Sequence, residues 1–208
     1  MSTQLHYDAW SASYDSVENK TRDLEGEVCR QVLSDIKFDS VLELGAGTGK
    51  NTEWLAERAS SVIAVDFSEE MQAVARRNVI GANVVFRQAD ISKAWYFAGG
   101  PADLITCSLI LEHVEDIDFI FGEASGHLAP SGHLYVCELH PFRQYTGTKA
   151  RFETAQGMQH IDAFTHHISD YTDAANKAGL RLTRFDEWFD DDDRNSFPRL
   201  ASFLFRRD

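Results

Sequence analysis

The 208-residue chain has no apolar run near the roughly 20 residues that a membrane-spanning helix requires, so a helical membrane protein is not expected. Its opening residues, Met1 to Asp15, lack the apolar stretch flanked by basic charge that marks a secretory signal, and none is expected there. Cysteine is scarce. Cys29, Cys107 and Cys137 have no metal-type spacing, and an odd count does not build a disulfide framework. Cys107 and Cys137 sit in apolar runs, the usual setting of a reduced core thiol. Positive charge is also in short supply: 20 basic against 33 acidic side chains leave a net charge of −13. Such a surface repels phosphate backbones, which argues against a nucleic-acid partner. Internal repeats and low-complexity linkers are absent. With ordinary apolar and charged fractions, the expectation is one cytoplasmic domain over residues 1–208, large enough to bury a core without metal or disulfide.

What is present is an alternation of strand-type and helix-type runs. Val41 to Leu44 reads as a short strand ending in glycines, and Asn51 to Arg58 as a helix. Ser61 to Val65 is a second buried strand ending at Asp66, with Ser68 as N-cap of a helix through Asn78 and Glu69 and Glu70 in its first turn. Asn83 to Arg87 and Asp103 to Cys107 are the third and fourth strands. A helix around Ile117 to Leu128 stops at the breaker cluster Ala129-Pro130-Ser131-Gly132, and His133 to Leu139 is the fifth strand. Ser169 to Ala178 reads as a helix closed by Gly179, followed by strands Leu180 to Phe185 and Leu200 to Phe205 with no helix between them. The expected fold is α/β, a Rossmann-like, doubly wound, mostly parallel seven-stranded sheet with an antiparallel C-terminal edge hairpin. The acidic run Asp190 to Asp193 is expected to be a solvated loop in that hairpin, and no metal site is predicted.

In an open parallel sheet, ligands bind beyond the carboxyl ends of the strands, beside the first strand. The loop Gly45-Ala46-Gly47-Thr48-Gly49 falls there, and its glycines allow a tight turn and close approach of a ligand to bare backbone. Glu43 is an acid in an otherwise apolar strand and requires a partner such as loop amides or a bound cation. Asp66 ends the second strand, 21 residues after Gly45, where a carboxylate can accept two hydrogen bonds from ribose hydroxyls. The pattern indicates a nucleoside cofactor. A dinucleotide fingerprint would place its third glycine at position 50, where this chain has Lys50, and NAD is disfavoured.

These segments together resemble the class I S-adenosylmethionine-dependent methyltransferases of the small-molecule type (methyltransferase type 11/12-like). VLELGAGTG (Val41 to Gly49) is similar to the family's first motif, including the acid at 43, and AVDFSEEM (Ala64 to Met71) to its second. RQADI (Arg87 to Ile91), LITCSLILEHVED (Leu104 to Asp116) and LAPSGHLYVCE (Leu128 to Glu138) resemble later segments in the same order. The resemblance covers about residues 40–140 and implies S-adenosylmethionine as cofactor. It further implies that Asp66 binds the ribose, that Phe67 lies beside the adenine, that Asp90 bonds the adenine amino group and that Ile91 packs on the ring. Met71 belongs to the second motif, Ser108 and Leu109 to the turn bordering the cofactor's methionine end, and His113 to a position that is mostly structural in the family.

Acceptor-binding residues are sought in the least regular segments. Residues 1–35 resemble the family's aromatic N-terminal helical lid, with Tyr7 and Trp10 as acceptor candidates and Tyr14 as the residue approaching the cofactor. Its alternative is a surface helix whose aromatics dock on the core. Residues 140–167 form an insertion expected over the acceptor site. His140 opens it at the carboxyl end of the fifth strand and is the candidate base or acceptor ligand, against the alternative of a histidine bonding its own turn before Pro141. His166 and His167 are weaker candidates. Arg143, Lys149 and Arg151 reverse the local sign of charge, suggesting either an anionic acceptor held by arginine forks or a lid that pairs with the acidic body. The expected partner is a small-molecule methyl acceptor reacting at oxygen, nitrogen or carbon. The alternatives are an RNA- or protein-directed methyltransferase of the same fold, which would show a basic groove or an added domain, and a cofactor-binding module without turnover, which intact motifs do not exclude.

Overall fold

A strand covered on both faces must be apolar at nearly every position, and the two-residue alternation decides which layer each side chain joins. The computed structural model describes residues 8, 14, 19–147, 151–154, 157–160 and 163–208, with backbone only for 151–154 and 157–160. Its principal sheet has seven strands in the order β3-β2-β1-β4-β5-β9-β8. They are β1 (Ser40–Leu44), β2 (Ser61–Asp66), β3 (Val84–Gln88), β4 (Ala102–Ser108), β5 (Leu128–Leu139), β8 (Leu180–Trp188) and β9 (Leu200–Arg207). Pairs among β1 to β5 are parallel, whereas β9 runs antiparallel to both β5 and β8.

Alternation splits the core into two layers. Leu42, Leu44, Ile105, Cys107, Leu134, Val136, Phe203 and Phe205 face one side, against α4 (Ile117–His127) and α6 (Ile168–Lys177). Val41, Val62, Ala64, Leu104, Tyr135, Cys137 and Leu204 face the other, against α1 (Lys20–Leu33) and α2 (Lys50–Ala56). Burying each large apolar side chain contributes roughly 1.5–3 kcal/mol, so this double layer dominates the fold's stability. Cys29, Cys107 and Cys137 are all free and buried, and burial pushes their thiols well above the usual range.

Local signals set the ends of the elements. Ser68 accepts from the Met71 amide (3.1 Å) and caps α3 (Glu69–Asn78), while Gly179, at φ +73°, closes α6. Two expectations need correction. Strand β5 starts at Leu128, not His133, because Ala129 to Gly132 is an irregularity within the strand: Ala102 pairs with Leu128 but Leu104 with His133, and Ser131 takes φ +63°. The insertion after β5 is also more regular than expected, holding the short helix α5 (Pro141–Tyr145) and a two-stranded antiparallel sheet of β6 (Arg151–Thr154) and β7 (Gly157–His160).

Candidate active site

The carboxyl ends of β1, β2 and β4 open on a cavity of about 450 Å3. Its floor is the glycine loop. Gly45, Gly47 and Gly49 all take positive φ (72°, 54° and 87°). At Gly45 a Cβ would stand 2.3 Å from Ile110 Cγ2, and at Gly49 one would stand 2.7 Å from Val79 Cγ2, so both the conformation and the space demand glycine. Gly49 opens α2 and lies behind the lining, whereas Gly45, Ala46 and Gly47 form part of it.

The acids expected from sequence are fixed by short bonds. Asp66 accepts from the Gly47 amide through Oδ2 (2.8 Å) and from the Ser68 amide through Oδ1 (2.9 Å), which ties the glycine loop to the end of β2. Burial raises its pKa, opposed by those amides. Glu43 is 5% exposed and burial raises its pKa to about 8. Its partner among the described residues is the Thr52 hydroxyl, which donates to Oε2 at 2.5 Å from the first turn of α2. Asp90 is exposed at the rim, where its Oδ1 takes the Ser92 amide (2.9 Å) and hydroxyl (2.6 Å). Phe67, Met71, Ile91, Ser108, Leu109 and His113 also border the cavity, and so does Tyr14, beneath the Arg22 guanidinium at 5.1 Å from its ring centre.

Several lining residues lie outside the motifs. Glu25 of α1 is 4% exposed; burial raises its pKa, and Asn51 donates to its Oε2 at 2.8 Å. Asn51 Oδ1 and Thr106 Oγ1 are buried at the cavity wall without a hydrogen-bond partner among the described residues, and the Ser108 hydroxyl beside them donates to the Glu25 carboxylate. An unpaired buried polar atom is costly, so this clustering indicates a wall made for a polar ligand. Arg22 and Lys50 bring positive charge to the same wall, with Lys50 Nζ 2.8 Å from Asp23. Glu25 and Arg22 lack a sequence signal because their helix precedes β1 and carries no motif. The only hint is an acid facing the core side of an amphipathic helix, with Val28, Cys29 and Val32.

The insertion residues are placed differently. His140 is not in the cavity lining. It caps α5, taking the Phe142 amide on Nδ1 (3.2 Å), with Nε2 3.1 Å from Glu187 Oε1 on β8. One neutral tautomer satisfies both contacts, in keeping with a pKa lowered by burial. Both ring nitrogens are therefore engaged away from the cavity, in the manner of the turn-bonding alternative. Arg143 donates to Asp190 Oδ2 (3.1 Å) and to the Pro198 and Phe197 carbonyls, and so pairs with the acidic body. Asp190 in turn holds a bidentate pair with Arg199, whose guanidinium keeps its carboxyl below the usual range. Asp191 to Asp193 of that acidic run are exposed, whereas Asp190 is half-buried in its arginine pairs, which corrects the expectation for that residue. His166 is buried against the Leu111 and Val114 carbonyls, and His167 caps α6 beside Tyr145. Tyr7 and Trp10 lie outside the described residues, as does the side chain of Arg151.

Residues 42–136 match the family described as "Methyltransferase domain". Among curated proteins, the ubiquinone biosynthesis O-methyltransferase of Xanthomonas axonopodis pv. citri (strain 306) is 30% identical over 155 residues, 68% of this chain and 62% of that protein. The chain thus spans under two thirds of that relative's length. Demethylmenaquinone methyltransferase of Thermus thermophilus is 36% identical over 105 residues, 49% of this chain and 47% of that protein. Among solved structures, the DhpI-SAM-HEP complex superposes with a TM-score of 0.75 at 23% identity, covering 98% of this chain and 94% of that one. The N-methyltransferase NodS from Bradyrhizobium japonicum WM9, in complex with S-adenosyl-l-homocysteine, gives 0.72 at 17% identity over 100% and 99% of the two chains. At these identities the structural likenesses concern the fold.

Proposed function

We propose that this chain, whose residues 42–136 match a methyltransferase domain, transfers a methyl group from S-adenosylmethionine to a small organic acceptor. The observation that carries the reading is the cavity wall itself. Within one cavity, Asp66 stands at a strand end, the glycine turn exposes backbone, buried Glu25 and Ser108 line the wall, and Asn51 Oδ1 and Thr106 Oγ1 lack partners among the described residues. An adenosyl group linked to an amino acid offers hydroxyls, an amine and a carboxylate to such a set. Asp66 is the ribose ligand, Phe67, Asp90 and Ile91 border the adenine, and Glu25, Asn51 and Ser108 with Arg22 serve the amino-acid end.

When bound, the cofactor supplies an electrophilic methyl group on a sulfonium, displaced in line by a nucleophile. The chain's contribution is then positioning, since orientation alone can supply several kcal/mol. Leu109, Ile110 and His113 frame the end of the cavity nearest the insertion, and the insertion is anchored to that frame: the Phe164 amide donates to the Glu112 carbonyl at 2.7 Å and Gln144 to the Glu112 carboxylate at 3.3 Å. We assign the acceptor to the space between the two. With Arg143 paired to Asp190, an anionic acceptor has no support from that residue. The names of the ubiquinone- and menaquinone-pathway relatives agree with a small-molecule acceptor.

Titration calorimetry with S-adenosylmethionine, S-adenosylhomocysteine and NAD tests the cofactor; binding of NAD alone overturns it. A labelled-methyl assay across phenols, amines and carboxylic acids tests turnover. Cofactor binding without transfer to any of them would support the binding-module alternative.

A further inference from the structure

The end of the cavity that faces the insertion is built on a turn whose backbone is unfavourable. Leu109 takes φ +54°, the left-handed region that a leucine rarely adopts. The next residue, Ile110, lies against Gly45, close enough that any Cβ there would meet its side chain. The position of this turn therefore sets the shape of the glycine floor as well as the wall.

Three successive amides hold the turn to the end of β5. Leu109 N–H donates to the Cys137 carbonyl at 2.9 Å. Ile110 N–H and Leu111 N–H both donate to one oxygen, Glu138 Oε1, at 3.0 and 2.9 Å. Glu138 is 2% exposed and does not line the cavity. Burying a carboxyl side chain is costly, and a glutamate on an otherwise apolar strand end needs a compensating task. Its two amide bonds are that task.

We propose that Glu138 is a positioning residue: its side chain clamps the strained Leu109–Ile110–Leu111 turn against Gly45 and so holds the cavity in its binding shape. The inference rests on the cofactor reading above, but the clamp itself is a property of the chain. Glutamine retains one oxygen able to accept both amides, whereas alanine does not. Glycine at 109 removes the strain that the clamp opposes, whereas alanine at 109 removes the same side chain and keeps the strain.

The test combines amide hydrogen exchange with calorimetry against S-adenosylmethionine. In the unaltered protein, the Ile110 and Leu111 amides should exchange as slowly as core amides of β5; fast exchange there overturns the clamp without any variant. Glu138→Ala should speed their exchange and weaken cofactor binding by about tenfold or more, with Glu138→Gln staying within about threefold. Adding Leu109→Gly to Glu138→Ala should recover most of the affinity, and adding Leu109→Ala should not. Equal effects of glycine and alanine would reduce Glu138 to general core stability and overturn the proposal. Failure of the unaltered protein to bind the cofactor would overturn the functional reading, and the exchange pattern would then decide the clamp alone.

Discussion

The cofactor-side wall and the insertion after β5 are both rich in polar residues, yet they were built by different means. Around the cavity the contacts of the motif acids join residues near in sequence or at adjacent strand ends: Thr52 to Glu43, Ser68 and Gly47 to Asp66, Ser92 to Asp90. In the insertion they join residues far apart: His140 to Glu187 and Arg143 to Asp190, each 47 positions away. The cavity wall keeps free polar atoms for a ligand. The insertion spends His140 and Arg143 on anchorage to β8 and the loop that follows it. Substitutions in the first region should therefore reach binding, and those in the second should act on stability alone.

The sharpest break of that comparison is Asp66→Ala. It removes the carboxylate that joins Gly47 to Ser68 and that we assign to the ribose, so the Kd for S-adenosylmethionine should rise roughly 100-fold, about 2.7 kcal/mol. Calorimetry on the folded variant checks this, and a change under about threefold would sever Asp66 from the ligand. Next in size is Gly45→Ala. Its Cβ would lie 2.3 Å from Ile110 at φ +72°, and a loss of about 2–3 kcal/mol is expected by urea unfolding, with cofactor affinity falling alongside. Retained stability would mean that Ile110 can move aside, which would also weaken the case for a clamped turn.

How much could be read from sequence follows the same division. The parallel core, the order of motifs and the acids at strand ends were legible because each depends on period-two burial, glycine geometry or a position within a few residues of a strand end. Cys107 and Cys137 fell in opposite layers for the same reason. The partner of Glu43 was not legible, because Thr52 looks like any helix residue until α2 docks. Glu25 was missed because α1 carries no motif, and only tertiary packing brings it to Asn51. Which partners His140 and Arg143 take was not legible, because Glu187 and Asp190 belong to strands and loops 47 residues on. A sequence displays charges but not their pairing. The irregular start of β5 was obscured by Pro130 and Gly132, which usually end an element and here bend one.

Burial of Glu43 gives a prediction in pH. Its folded pKa of about 8 lies above the ordinary glutamate value of 4.5, so the unfolded chain loses this proton first as pH rises. The stability from keeping Glu43 protonated is full below about pH 4.5 and is lost as pH climbs through about 8. In Glu43→Gln that loss disappears. The Tm of the variant relative to the unaltered protein should therefore increase from pH 5 to pH 8, by at least about 3 °C, the shift that roughly 1 kcal/mol produces in a domain of this size. A constant difference across that window would mean that Glu43 is ionised in the fold. A cation held between Glu43 and Glu25 would do that.

The smallest effect probes the insertion. Arg143 and Asp190 are partly exposed, with side-chain exposures of 23% and 28%, so solvent screens their attraction and the pair is worth no more than about 1 kcal/mol. Arg143→Gln can keep one donor for the Phe197 or Pro198 carbonyl, and a loss of about 0.5 kcal/mol in unfolding free energy is expected. Once an acceptor is in hand, its KM and the cofactor Kd should both stay within about twofold, because the guanidinium is already occupied by Asp190. A rise in KM with unchanged stability would show the opposite. Arg143 would then leave Asp190 to meet an anionic acceptor, and the insertion would join the binding wall instead of merely bracing it.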